Sequence, residues 1–99
     1  MFRHVVMMRW TDESTPEQRS AAVEAVRGLP AVVPTIRRLS CGTDAGVGEG
    51  NLDFVAVVDF DDRDGYRTYA GHPDHVRVIT ELLRPIAAQR TAVQYELED

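Results

Sequence analysis

The side chains best suited to chemistry in this sequence are Tyr69 and His75, which lie six residues apart. Gly71 and Pro73 lie between them and predict a break between two helices, so a corner can bring both side chains together. An imidazole with its ordinary pKa of ~6.5 accepts a proton at neutral pH, and a phenol can donate to a developing enolate oxygen. The pair is compatible with acid–base catalysis. The structural alternative is that Tyr69 packs in the core and His75 satisfies its helix start.

The other two histidines have simpler explanations. His72 precedes Pro73, which predicts a helix N-cap that shapes the corner. His4 shares a strand face with Val6 and Met8, where a lone histidine is usually a hydrogen-bonded core residue. The three histidines match no standard zinc spacing, so no side-chain metal site is predicted.

Two further features carry no predicted activity. Cys41 is the one cysteine, so an intrachain disulfide is excluded, and its small neighbours favour inert filling. The turn with Gly46, Gly48 and Gly50 lacks the Lys-Ser/Thr ending and the following helix of a phosphate loop.

The spacing of hydrophobic residues predicts the strands and helices that position the tyrosine and the histidines. Strands are predicted at residues 2–10, 35–42, 52–60 and 91–97. A first helix begins at Pro16, with Thr15 and Gln18 forming a capping box, and ends near Gly28. A short helix begins in residues 61–64 and ends at Gly71, and a longer one runs from residue 73 to residue 86.

This order, β-α-β-β-α-α-β, predicts an α+β fold of the ferredoxin-like sandwich kind, with a four-stranded antiparallel sheet and helices on one face. The other face carries Val5, Met7, Val55 and Val57, an apolar patch that a second copy of the chain would cover. The predicted assembly is therefore a homodimer, a dimeric α/β barrel joined sheet to sheet. The charged residues at the ends of this face suit the rim of such an interface: Arg3, Arg9, Asp53 and Asp59.

Composition narrows the class of protein further. The 99 residues predict a single domain over residues 1–99, with 43% hydrophobic and 27% charged residues. A net charge of −5 without a basic stripe argues against nucleic acid or an anionic membrane as partner. No run approaches the ~20 apolar residues of a membrane span, and no signal peptide is evident, which predicts a cytoplasmic protein.

Several segments together resemble one known family. The most specific is residues 66–76, YRTYAGHPDHV, where a tyrosine precedes a His-Pro-x-His-Val sequence. Residues 3–10, RHVVMMRW, residues 29–36, LPAVVPTI, and residues 54–60, FVAVVDF, fit the same pattern. Over essentially its whole length the chain resembles the stress-responsive A/B barrel (Dabb) family, whose fold is a ferredoxin-like dimer closed into a barrel.

The resemblance implies a candidate activity. One branch of the family is the plant polyketide cyclase type that makes olivetolic acid, which closes a poly-β-keto thioester by an intramolecular aldol reaction without a cofactor. Its catalytic tyrosine and histidine fall on Tyr69 and His75, and a further pocket histidine falls on His4. A second pocket histidine of that enzyme type is replaced by Phe54 here. The predicted pocket for an apolar small molecule is lined by Val6, Val26, Phe54, Ala56, Val58 and His72.

The resemblance leaves other functions open. No cofactor is required by the cyclase reaction, although some plant members hold magnesium on main-chain carbonyls that correspond to Val26, Leu29 and Val32. One alternative is a non-enzymatic, stress-responsive homodimer that binds a small molecule or has a structural role. Another is a small oxygenase, cofactor-free or haem-dependent, as in neighbouring dimeric α+β barrel families.

Overall fold

A computed structural model describes residues 1–98, and residue 99, the last of the predicted domain, lies outside them. The elements occur in the predicted order. They are β1 (Phe2–Trp10), α1 (Pro16–Arg27), β2 (Ile36–Thr43), β3 (Phe54–Phe60), α2 (Arg63–Gly71), α3 (Pro73–Val78) and β4 (Ala87–Glu96). All strand pairs are antiparallel, and the strand order in the sheet is β2-β3-β1-β4.

The start of α1 is fixed by local side chains, as predicted. The Thr15 hydroxyl oxygen accepts the Gln18 amide at 3.1 Å, and the Gln18 side-chain oxygen accepts the Thr15 amide at 2.9 Å. This reciprocal capping box satisfies two amides that an open helix end leaves without partners. Pro16 occupies the first turn, where its missing N–H costs nothing.

The segment after α3 departs from the prediction of one regular helix up to residue 86. It becomes a π-helical turn over Ile79–Leu83 and then a 3₁₀ turn over Arg84–Ile86. Pro85 cannot donate a main-chain hydrogen bond, which disfavours a continued α-helix at this point. β4 consequently begins at Ala87, four residues before the predicted start, and pairs there with Trp10 across an irregularity in β1.

One face of the sheet packs against the helices and forms the core. His4, Val6 and Met8 are buried on β1, and they alternate with half-buried residues on the opposite face. Phe54, Ala56 and Val58 are buried on β3, and the helices close over them. The helices do not cover β4, since every residue from 88 to 96 is exposed. Among residues 1–98 no helix is both long and apolar enough to cross a membrane.

The opposite face of the sheet is open and carries a buried carboxylate. Asp59 is 1% exposed because Arg3 and Arg38 lie over it. Arg3 binds both carboxylate oxygens, with its Nε at 2.7 Å and its Nη2 at 2.9 Å, and Arg38 binds Oδ2 at 2.8 and 3.1 Å. These bonds hold the pKa of Asp59 below its ordinary value, chiefly through Arg3. Val93 and Tyr95 extend the open face onto β4.

Candidate functional site

A partly enclosed cavity lies between the helices and the covered face of the sheet. Its volume is about 50 Å³, enough for roughly three to four water-sized groups. Most of its wall is apolar, and its polar lining is His4, Tyr66, Tyr69, His75 and Arg90. A small apolar chamber with a few convergent polar groups is typical of a ligand-binding site.

Two capped helix starts position Tyr69 and His75 at this cavity. The Asp62 side chain caps the start of α2, and the His72 ring caps the start of α3 by accepting the Asp74 amide at 3.1 Å. The His72 amide also donates to the Tyr69 carbonyl at 3.1 Å, which ends α2. Tyr69 therefore lies in the last turn of one helix and His75 in the first turn of the next, as the sequence predicts.

The rings of Tyr69 and His75 are in direct contact. Their centroids are 3.9 Å apart and their planes are inclined by 37°. Both side chains are buried, with 4% and 9% of their surface exposed. The described residues contain no hydrogen bond between the Tyr69 hydroxyl and the His75 imidazole, so the contact between the two side chains is one of ring against ring.

The hydrogen bond of His75 determines which of its nitrogens can act as a base. Its Nδ1 lies 3.3 Å from the Ala70 carbonyl oxygen, which can only accept, so Nδ1 carries the proton. The neutral ring therefore presents an unprotonated Nε2. Burial lowers the pKa of His75 below its ordinary value, and the nearby positive charge of Arg90 adds to this, while the Ala70 bond opposes it. The ring is consequently neutral at neutral pH.

In His4 the proton is on the other ring nitrogen. Its Nδ1 lies 2.9 Å from the side-chain nitrogen of Gln94, which donates, so Nδ1 is unprotonated and Nε2 carries the proton. Burial lowers the pKa of His4 to about 4, with smaller contributions from Arg90 and His75. The cavity is therefore lined by one imidazole that can accept a proton, His75, and one that can donate a hydrogen bond, His4.

Tyr69 supplies a second donor. Burial raises the pKa of its hydroxyl above the ordinary value, so the phenol keeps its proton at neutral pH. No buried side-chain nitrogen or oxygen within residues 1–98 is left without a hydrogen-bond partner. Since the Tyr69 hydroxyl has no protein partner among those residues, it is accessible to a ligand rather than sealed in the core.

The structure brings most of the predicted site residues together. The predicted catalytic residues His4, Tyr69 and His75 all line the cavity. So do four of the six residues predicted to contact a ligand: Val6, Val26, Phe54 and Ala56.

Two residues predicted for the pocket do not line it. Val58 is fully buried on β3 beyond the cavity, where it packs in the core. The ring of His72 is directed to the amide of Asp74, because its position at the end of α2 and the start of α3 makes it the cap. Its contribution is to the shape of the corner, and neither Val58 nor His72 is part of the cavity wall.

Three polar residues of the site were not predicted. Tyr66 lies in α2 with its ring 5.0 Å from that of His4. Gln94 and Arg90 lie on β4, on the face that also carries Ala92, which pairs with Val6. The alternation of β4 was visible in the sequence, but the register against β1 that brings Gln94 beside His4 was not.

A larger groove adjoins the cavity. It encloses about 500 Å³ between the segment after α3 and the start of β4. Met8, Ile79, Leu83 and Arg90 line both the groove and the cavity, so the two spaces meet at these side chains. A ligand can therefore place a small group in the cavity and a longer part in the groove.

The family resemblance implies a magnesium site on the main-chain carbonyls of Val26, Leu29 and Val32, at the end of α1 and in the turn that follows it. The Leu29 carbonyl already accepts two amides, from Val32 at 3.0 Å and Val33 at 2.9 Å, and the Val26 carbonyl accepts the Gly28 amide. The Val26 carbonyl oxygen keeps a second lone pair, so magnesium on these carbonyls stays a prediction. Among residues 1–98 no group of His, Cys, Asp or Glu side chains is placed to hold a metal ion.

Comparisons with known proteins agree with the fold. A family model described as the stress responsive A/B barrel domain matches residues 2–97. A dimeric ferredoxin-like protein of unknown function from Thermobifida fusca is 40% identical, with a TM-score of 0.90 over 97% of this chain and 90% of that one. A second such protein, from Bacteroides fragilis, is 28% identical, with a TM-score of 0.83 over 97% of this chain and 95% of that one.

A more distant likeness is to an enzyme. Hydroxynitrile lyase from Passiflora edulis is 16% identical, with a TM-score of 0.86 over 99% of this chain and 94% of that one. At this identity the likeness shows the fold alone. A search among curated proteins finds no match. The ferredoxin-like prediction is thus confirmed at the level of the fold.

Proposed function

Because the chain belongs to the stress-responsive A/B barrel family, we propose that it is a cofactor-independent enzyme that transfers protons at a carbonyl group. The reaction class is an intramolecular aldol closure of a β-keto substrate, of the polyketide cyclase kind. The observation that carries this proposal is the pairing of tautomers at the cavity, where His75 offers a free Nε2 and His4 offers an Nε2–H.

In the proposed reaction His75 carries out both proton transfers, and Tyr69 and His4 donate hydrogen bonds. His75 Nε2 removes a proton from the carbon next to a ketone, and the electron pair moves to the ketone oxygen as an enolate. The Tyr69 hydroxyl and the His4 Nε2–H donate hydrogen bonds to that oxygen as its charge develops. The enolate carbon then forms a bond to a second carbonyl carbon of the same molecule, and the new alkoxide takes the proton from the His75 imidazolium.

The surroundings of the site suit this chemistry. A lowered pKa keeps His75 unprotonated over the whole neutral range, so the base is available without prior deprotonation. The mostly apolar wall lowers the polarity around a bound ligand, which strengthens hydrogen bonds to an enolate. A lyase that acts on hydroxynitriles shares the fold, which supports this scaffold as a host for lyase-type chemistry.

We further propose that the working form is a homodimer built through the open face of the sheet. Val5, Met7, Val55 and Val57 remain only half-buried in the single chain, so a second sheet would cover an apolar patch. The relatives from Thermobifida fusca and Bacteroides fragilis are described as dimeric, which supports the same assembly here. Analytical ultracentrifugation tests it directly: a mass of one chain at micromolar concentration would rule out the dimer.

The test of the enzymatic proposal is proton exchange at a β-keto thioester in deuterated water, followed by NMR. His75→Gln should lower the exchange rate at least ~10²-fold, since a positioned general base is worth ~10²–10⁴ in rate. His72→Asn is the matched control, because it also removes a histidine from the corner but retains a capping side chain outside the cavity. Equal exchange rates for His75→Gln and wild type would refute the proposal.

The second candidate function is small-molecule binding without turnover. The cavity of about 50 Å³ is small, and the packed contact between the Tyr69 and His75 rings favours a structural role for the pair. On this view His75→Ala lowers the melting temperature, and the wild-type protein shows no exchange above buffer. The same exchange experiment therefore separates the two candidates.

A further inference from the structure

Arg90 is the one charged side chain that lines the cavity within the described residues. It lies on β4 opposite Met8, on the face that carries Gln94, and its neighbours in the wall are apolar. Seven of the eleven arginines form ion pairs with carboxylates in residues 1–98, and Arg90 is not one of them. This acidic chain thus has, at the mouth of its candidate active site, an arginine that no carboxylate in the described part of the chain binds.

Arg90 lies between the cavity and the adjoining groove, so it can contact a ligand in either. It lines both the cavity and the adjoining groove, together with Met8, Ile79 and Leu83. A substrate with its ketone at Tyr69 and the rest of the molecule in the groove would extend along this side chain. Arg84 is the other charged group of the groove, and within residues 1–98 no carboxylate side chain lines either space.

We propose that Arg90 binds a carboxylate of the substrate at the mouth of the cavity, so that a ketone that also carries a free carboxylate binds more tightly than its neutral ester. This inference rests on the proposed function, because it specifies the substrate class of the same site. A guanidinium binds a carboxylate through two parallel N–H donors, which fixes orientation as well as charge. The carboxylate would therefore set which carbon of the substrate faces His75.

The charge of Arg90 also links binding to catalysis. Its positive charge lowers the pKa of His4 and of His75 in the free protein. A bound carboxylate would offset this charge, so the basicity of His75 would increase when an acidic substrate is in place and would stay low otherwise. A neutral ester would lack this effect even if it entered the cavity.

The test compares an oxo acid with its neutral ester. The probes are 4-oxopentanoate, which carries a ketone and a carboxylate, and methyl 4-oxopentanoate, which carries the ketone alone. Binding is measured by NMR titration on wild type, Arg90→Gln, Arg90→Lys and the control Arg67→Gln. Arg67 is an exposed arginine on α2 outside the cavity and the groove. Melting curves establish that the variants are folded.

The expected result is that Arg90→Gln weakens binding of the oxo acid at least ~10-fold, the size of one lost charge-assisted hydrogen bond, and leaves the ester unchanged. Arg90→Lys should restore part of the affinity, and Arg67→Gln should match wild type. The inference is overturned if wild type binds acid and ester equally, if Arg90→Gln equals Arg67→Gln, or if the acid does not bind at millimolar concentration. The enzymatic function is read separately, from exchange at the β-keto thioester: Arg90-dependent binding of the oxo acid without that exchange supports this inference and refutes the proposed enzymatic function.

Discussion

Acidification should destabilise this protein partly through His4, because the folded chain holds that imidazole where it resists protonation. The pKa of His4 is about 4 in the folded chain, whereas an unfolded histidine titrates at its ordinary 6.5. As the pH falls below 6.5 the unfolded chain binds a proton that the folded chain does not. The contribution of His4 to stability is therefore complete above pH ~6.5 and is lost progressively down to about 4.

The magnitude follows from the two pKa values. By pH ~5 the unfolded state gains about 2 kcal/mol relative to the folded state from this one group, and by pH ~4 about 3 kcal/mol. That is a large part of the ~5–15 kcal/mol of net stability of a typical domain. His75 has a pKa lowered in the same direction, so it adds to the loss.

The assay is urea unfolding at fixed protein concentration between pH ~7.5 and ~5, on wild type and on His4→Gln. The variant should lose about 2 kcal/mol less than wild type over this range, whatever its absolute stability at neutral pH. NMR titration of the folded protein gives an independent check on the same imidazole. The reasoning would be refuted if the free energies of unfolding of wild type and His4→Gln fell equally with pH and the His4 imidazole of the folded protein titrated near 6.5.

Other parts of the fold give three further predictions. Asp59→Asn should lower the free energy of unfolding by about 2 kcal/mol in urea titrations, since it removes the charge that Arg3 binds through two bonds, and a loss below ~0.5 would contradict the buried ion pair. Thr15→Ala should cost about 1 kcal/mol by thermal unfolding because the α1 cap is lost, whereas Thr15→Ser should cost little. Gly65→Ala should destabilise by about 1 kcal/mol or more, because its Cβ would lie 3.3 Å from the Cβ of Phe60, and a variant as stable as wild type would show that this wall can yield.

The features that the sequence predicts correctly are those that depend on residues close together in the chain. The α1 cap and the His72–Pro73 corner depend on residues within one turn of each other, and both are present where the pattern indicates. The alternation of β1 placed His4, Val6 and Met8 on the covered face for the same reason. The cavity between Tyr69, His75 and His4 followed once the corner and the sheet face were known.

What the sequence could not predict depends on pairings between distant segments. Gln94 meets His4 only because β1 and β4 adopt one register, and a shift by one residue would direct Gln94 to the other face. Arg90 reaches the cavity through the same register. The tautomer of His75 depends on the carbonyl of Ala70 at a helix end, a geometry that no residue pattern encodes. Val58 was predicted to line the cavity because it shares a strand face with Phe54 and Ala56. That shared face does not determine which of its positions border the cavity and which the helices bury in the core.

The chain order of the site has a consequence for how this protein can diversify. Tyr66, Tyr69 and His75 all come from one continuous stretch of ten residues, whereas His4 and Gln94 belong to paired strands of the sheet. A duplicated copy could therefore acquire a different reaction by exchanging that short stretch while its sheet, and the sheet face opposite the helices, stay intact. Changes within this stretch would alter the reacting groups. Changes at residues on β4, such as Arg90, would alter ligand preference independently of them.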